Sequence, residues 1–347
     1  MSGLTLSSTA ERIYWLGRYL ERSETMARLV IVHANLLIDM PKRLPLGWRP
    51  LVEITGSASE FAELYDEMNE KTVCRFLIND ARSAGSLLNS LSWVRENART
   101  VRGFMPLRAF EYFNELYLLG REKLTAPLSR SRRLQGLTEV VEHIQRIDGF
   151  MSANMLHDAH WNFLRIGQFI ERADMTTRTI DVGTGTFWEG AIDLEPFADV
   201  QWRSVLRSLF ALQSYNTTVG EPISQEPVID FLLHDSRLPR SVDYGLMSVR
   251  NNLRSLPRHE RPLRAINRIR RSVAQTDVRK LSAADLNLFL DECQIQISEL
   301  HDEIRKTYFD FKPRRRPSKQ RQKKPQKQPQ KQPQKQSKPQ AAAARRS

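Results

Sequence analysis

Leu16-Gly17-Arg18-Tyr19-Leu20-Glu21-Arg22-Ser23-Glu24-Thr25-Met26-Ala27-Arg28 returns 150 positions further on as Ile166-Gly167-Gln168-Phe169-Ile170-Glu171-Arg172-Ala173-Asp174-Met175-Thr176-Thr177-Arg178. The glycine, the Glu-Arg pair and the closing arginine coincide, and the apolar positions match in kind. A chain holding two such segments reads as two related helical halves, about 8–156 and 157–311. Gly17, Glu21, Glu24 and Arg28 stand at i, i+4, i+7 and i+11, which puts them on one narrow stripe of a helix. Gly167, Glu171, Asp174 and Arg178 have the same spacing. Each stripe borders an apolar one, made by Ile13, Leu16 and Leu20 in the first copy and by Phe163, Ile166 and Ile170 in the second. A glycine at that edge admits a second helix, so the acids and the arginine should face protein rather than water. A buried charge is costly unless paired. The stripes are therefore expected to form Glu–Arg pairs across the two halves, in the bidentate geometry that arginine allows. Arg22 and Arg172 lie on a different side of their helices from Arg28 and Arg178 and are assigned a second contact.

Outward from these segments the chain reads as helix after helix. Ser8-Thr9-Ala10-Glu11 is a capping box that should open the first helix, which runs to about Asp39 and stops before Pro41. Ser83 opens another, with Leu87, Leu91, Val94, Ala98 and Val101 on one face, and Pro106 starts a third reaching Leu119. Further helical periodicity covers roughly 136–156, 158–182, 199–216, 225–234, 240–256, 262–280 and 283–310. The fold class is all-α, a bundle of roughly ten helices packed through apolar stripes. On the second of these helices Arg95, Arg99 and Arg102 stand at i, i+4 and i+7 beside the apolar face. That arginine edge calls for carboxylate or phosphate partners, and Glu21, Glu171 or a bound anion would serve.

The chain's 347 residues carry a formal charge of +13, but residues 312–347 hold 14 Lys/Arg and no acid. The remainder nets −1. The high isoelectric point belongs to the tail, whose 9 Gln, 6 Pro and repeated Lys-Gln-Pro-Gln predict disorder. Such a tail would hold nucleic acid or another acidic partner nonspecifically and with strong salt dependence. Only 2 cysteines are present, Cys74 and Cys293, too few for a zinc finger or a disulfide framework. No secretory leader is apparent, and the best apolar run, Leu29–Met40, is too short to span a bilayer. The expectation is a cytoplasmic protein with no membrane association.

Ala10-Glu11-Arg12-Ile13-Tyr14-Trp15-Leu16-Gly17-Arg18-Tyr19-Leu20-Glu21-Arg22 and Arg95-Glu96-Asn97-Ala98-Arg99 resemble the bacterial alpha-E domain family, an all-helical family named for a Glu-Arg motif. Asp158-Ala159-His160-Trp161-Asn162-Phe163-Leu164 matches it too, as do Gly167, Glu171 to Arg178, Phe231-Leu232-Leu233-His234-Asp235 and Pro239-Arg240-Ser241-Val242. The resemblance covers most of positions 4–310 and adds Asp158, Trp161, Arg240 and Ser241 to the residues of interest. It implies a functional neighbourhood: relatives occur beside, or fused to, an ATP-grasp protein and a transglutaminase-like protein. That company points to ATP-dependent peptide or amide-bond formation and its processing.

Other chemistry finds no motif. There is no phosphate-binding Gly-x-x-x-x-Gly-Lys loop and no His-Glu-x-x-His, and Gly183-Thr184-Gly185 follows a helix rather than a strand. No cofactor is expected. His157 and His160 could share a metal with Asp158, but two histidines at a helix start are more commonly polar surface or packing residues. Cys74 reads as a buried thiol. Three functions remain open. The first is a helical accessory or binding protein working with the ATP-grasp and transglutaminase-like proteins. The second is an enzyme of the same pathway with a Glu/Arg pocket, and the third is a binder of nucleic acid or acidic partners through the tail.

Overall fold

A computed structural model describes residues 7–40, 47–125, 128–184 and 198–310. The basic tail, with its expected disorder, lies outside the described residues. Among those residues there are fourteen α-helices and no strand. Two long helices organise the rest, α1 (Ser7–Asp39) and α8 (Ala159–Thr184). Between Leu20 and Val30 almost every residue of α1 is buried, charged ones included, and α8 is buried in the same way from Trp161 to Ala173. A helix covered on all sides cannot turn its charges to solvent, which is why those charges must find partners inside the protein.

Each long helix closes a ring of four. α5 (Leu87–Val101), α6 (Ala109–Leu124) and α7 (Arg130–Asn154) follow one another around α1, with α5 and α7 both packed against it. α12 (Val242–Arg254), α13 (Glu260–Gln275) and α14 (Ala283–Ile304) take the same places around α8. In each ring three short helices separate the long helix from the other three: α2 (Arg49–Ile54), α3 (Ala58–Leu64) and α4 (Glu70–Ile78), then α9 (Ala198–Ser208), α10 (Leu212–Thr218) and α11 (Gln225–His234). These cross over, so that α2 lies on α8 and α9 lies on α1.

α1 and α8 run parallel with their backbones in contact. A Cβ on Gly17 would sit 2.2 Å from the Leu164 carbonyl oxygen, and one on Gly167 would sit 2.1 Å from that of Tyr14. Only glycine tolerates this, and the two contacts are reciprocal at the offset seen in the sequence.

Several expected boundaries move. α1 starts at Ser7, so Ser8 is already inside it. The stretch 199–216 is two helices rather than one, broken at Phe210, whose backbone is left-handed (φ 50°). α7 begins six residues before 136. α13 ends at Gln275, where Thr276 turns extended, and a 3₁₀ turn at Val278–Lys280 follows. The final helix finishes in a π-helical turn at Arg305–Phe309. The short helices α2 to α4 have no counterpart in the expected set because two turns are too few to show a periodic stripe. Cys74 and Cys293 are buried free thiols, and burial pushes their pKa up to about 11 and about 12.

Candidate functional site

The charges of α1 and α8 meet where the glycines bring the backbones together. Glu21, 1% exposed, accepts hydrogen bonds from Arg172 Nε (3.0 Å) and Nη2 (2.6 Å). Glu171 mirrors it, accepting from Arg22 Nε (2.6 Å) and Nη2 (3.2 Å). The Glu-Arg dipeptide of each helix thus grips that of the other. Each glutamate also takes a further arginine, and here the mirror breaks. Arg240 at the entry to α12 donates to Glu21 (2.6 Å) and Glu24 (3.0 Å), whereas Glu171 receives Arg18 Nε from α1 itself (2.6 Å). Burial alone would raise the carboxyl pKa values, but the flanking guanidinium groups outweigh it and hold both glutamates down at about 2.

The expected cross-pairing therefore occurs, but through Arg22 and Arg172 rather than Arg28 and Arg178. From the glycine contact, the glutamate at i+4 stays beside the contact line and the arginine at i+5 lies about 100° further round the helix. The long arginine side chain of each helix reaches back to the glutamate of its partner. Arg28 and Arg178 lie a turn and more beyond this crossing and meet acids of their own helices. Arg178 Nε donates to Asp174 (2.9 Å), and Arg28 Nε stands 3.9 Å from Glu24. Burial raises the Asp174 pKa.

The arginine edge of α5 does not join this network. Leu91, Val94, Ala98 and Val101 bury the α5 face that meets α1, and Arg95, Arg99 and Arg102 each follow one of its neighbours by a residue, turned away toward α6 and solvent. Arg95 donates to Asn114 (2.7 Å) and lies over the Tyr117 ring. Arg99 pairs with Glu96 on the surface, and Arg102 is exposed.

The motif residues of the second half have local tasks. Asp158 caps α8, accepting from the His160 amide (2.8 Å) and pairing with the His160 ring (2.8 Å), while His157 stacks on Trp161. Ser241 caps α12 by accepting from the Tyr244 amide (3.1 Å), and its hydroxyl donates to the Asp235 carbonyl (2.6 Å). These two hydrogen bonds fix the turn that holds Arg240, the residue before Ser241. Arg18 and Gln145, which reaches Glu24 at 3.4 Å, escaped sequence reasoning. Arg18 had a usable signal, one position past the glycine and three before Glu21.

Among the described residues no group of three His, Cys, Asp or Glu is placed to hold a metal. An apolar crevice near Leu29, His33, Leu51, Ile54 and Val205 has about 30 Å³, room for little more than water.

The helical rings and the reciprocal Glu-Arg grip define an all-helical domain built on that dipeptide. Residues 5–309 match the Alpha-E family, described as a predicted alpha-helical domain with a conserved ER motif, and the chain belongs to this family. Uncharacterized proteins of Mycobacterium tuberculosis and Mycobacterium bovis are similar to it, 26% identical over 322 residues, covering 84% of this chain. The match takes in 35% of each relative, so the chain spans about a third of their length. No solved structure matches.

Proposed function

We propose that the protein is a helical accessory or binding protein of an ATP-dependent system forming peptide or amide bonds, working with an ATP-grasp protein and a transglutaminase-like protein. The carrying observation is the saturation of Glu21 and Glu171. Each carboxylate is sealed from water, occupied by two guanidinium groups and ionised far below neutral pH. A group in that state neither gives nor takes a proton at pH 7, so the signature residues of the family serve the architecture. An enzyme of the same pathway would have to draw its acid and base from elsewhere. The relatives, in which this region is about a third of the chain, support a domain that acts alongside others. Buried free thiols, and the lack of any described helix long and apolar enough to cross a membrane, support a cytoplasmic setting.

Affinity capture of the tagged full-length chain from its native cell tests this. An ATP-grasp protein should be recovered in stoichiometric amount, and a clean preparation without one would reject the partnership. A Glu171→Gln chain restored to normal folding that lost pathway activity would instead favour an enzyme. The tail carries a second proposal, salt-sensitive binding of anionic polymers, which rests on its 14 basic residues. Deleting 312–347 should abolish retention on heparin, and retention by the body alone would refute it.

A further inference from the structure

Around Glu21 and Glu24 stand three guanidinium groups, those of Arg172, Arg240 and Arg28, against two carboxylates. Arg172 and Arg240 make short hydrogen bonds. Arg28 does not. Its side chain is 3% exposed, and Nε, Nη1 and Nη2 have no hydrogen-bond partner among the described residues. Glu24 at 3.9 Å is beyond hydrogen-bond reach and is already engaged by Arg240 and Gln145. A guanidinium offers five donors, and a buried one left without acceptors is a large departure from how proteins treat charge.

What covers Arg28 is equally unusual. The Phe210 ring lies over the guanidinium, 4.6 Å from Cζ to the ring centre, and is 54% exposed on its outer side. Phe210 occupies the three-residue joint between α9 and α10, with φ 50°, a left-handed backbone that a bulky side chain adopts only under constraint. The other half provides a contrast. Gly56 (φ 67°) stands over Arg178 in the corresponding joint between α2 and α3, and Arg178 has Asp174 within hydrogen-bond distance. The half with a bonded arginine is covered by a glycine, and the half with an unbonded one by a phenylalanine on a left-handed backbone.

We propose that Arg28 is the floor of a carboxylate-binding site and Phe210 its cover. A small carboxylate, the free end of an amino acid or of a peptide, enters when Phe210 swings outward and accepts two hydrogen bonds from the guanidinium fork. One negative charge balances the set of three arginines and two glutamates, whereas a phosphate dianion would overshoot it. The site gives a ligand class to the binding role proposed above and rests on that role, but not on the identity of any protein partner. Loss of the ATP-grasp partner from affinity capture would leave the calorimetry below unaffected, and the reverse also holds.

Isothermal titration calorimetry of the full-length chain with acetate, alanyl-alanine and inorganic phosphate, at constant ionic strength, tests the proposal. Saturable one-to-one binding of a carboxylate is expected. A preference for alanyl-alanine over acetate would assign the site to peptide ends, and equal binding would assign it to any small carboxylate. Arg28→Met, which exchanges the cation for an apolar chain of similar length, should fold and bind at least about tenfold more weakly. Should Arg28→Met not fold, Arg28→Lys keeps the charge, removes the fork and should also weaken binding. Arg99→Ala is the control and should bind as the natural chain does. The proposal is overturned by absence of saturable carboxylate binding, by undiminished binding in the Arg28 variants, or by tighter binding of phosphate than of either carboxylate.

Discussion

Arg172 grips Glu21 through two nitrogens, at 3.0 and 2.6 Å, although 151 positions separate them, and Arg22 repeats that grip on Glu171 from the opposite helix. Two consecutive residues on each helix, one acid and one base, thereby tie the two longest helices among the described residues together where their backbones touch. Glu21, Glu171 and Arg172 are buried, whereas the Arg22 side chain keeps 28% of its surface in solvent.

Removing one carboxylate should be severe. Glu21→Gln leaves the buried Arg172 guanidinium without its counter-charge and Arg240 with Glu24 alone, and the expected loss is about 3–5 kcal/mol. Urea denaturation monitored by circular dichroism checks it. In a double-mutant cycle, Arg172→Met should cost much less in the Glu21→Gln background than in the natural chain. Additive losses would show that the two side chains do not act as a pair.

The glycines should be as demanding as the charges. Alanine normally favours a helix over glycine by about 1 kcal/mol. At Gly17 and Gly167 the added carbon would meet a backbone oxygen, 2.2 and 2.1 Å away, which no rotamer can relieve. Gly17→Ala and Gly167→Ala are expected to lower the melting temperature steeply or to yield insoluble protein. Gly149 of α7 is exposed with nothing within 4 Å of the added carbon, so Gly149→Ala should stabilise by about 0.5–1 kcal/mol. A parallel response at all three positions would count against close helix contact.

Stability should fall with acid in two stages. Burial holds His33 at about 4, below its ordinary 6.5, and His301 is held at about 4 by burial and by Arg18. The unfolded chain takes up those protons first, so stability is complete above pH 6.5 and declines toward pH 4. His33 alone should account for about 3 kcal/mol of that loss. Glu21 and Glu171, at about 2 in the fold against 4.5 unfolded, contribute stability above pH 4.5 that vanishes as pH drops toward 2. Urea midpoints measured between pH 8 and pH 3 should follow this order, and His33→Gln should flatten the first stage.

The α5 arginines provide the opposite expectation. Arg99 and Arg102 stand in solvent, and the Arg99–Glu96 pair is an exposed one. Replacing either with alanine should change stability by less than about 0.5 kcal/mol. A loss comparable with that of Arg172→Met would mean that α5 contributes to the network after all.

The spacing of Gly17, Glu21 and Arg22, and its return at Gly167, Glu171 and Arg172, was legible because a helix converts sequence separation directly into angle. That local geometry is enough to announce long helices, buried charge and a glycine contact. It also limited the reading in identifiable places. Arg28 and Arg178 share a stripe with the glutamates, so periodicity alone favours them as partners, yet a stripe on one helix does not say how far along the other helix its partner sits. Arg95, Arg99 and Arg102 have the right charge and spacing, but which flank of α5 meets α1 depends on packing. The break at Phe210 left no mark, since a left-handed phenylalanine carries no sequence signal.

From residue order alone came two long all-α segments, their Gly and Glu-Arg repeat, and the need for those charges to be paired inside the protein, all consequences of helix pitch and the cost of burying charge. Tertiary structure alone decided which arginine met which glutamate. That choice depends on the relative rotation and translation of α1 and α8, set where Gly17 meets the Leu164 carbonyl and Gly167 that of Tyr14. It also brought Arg240 to Glu21 from 219 positions away and laid Phe210 over Arg28. No local rule reaches that far, because such contacts exist only once the helices have packed.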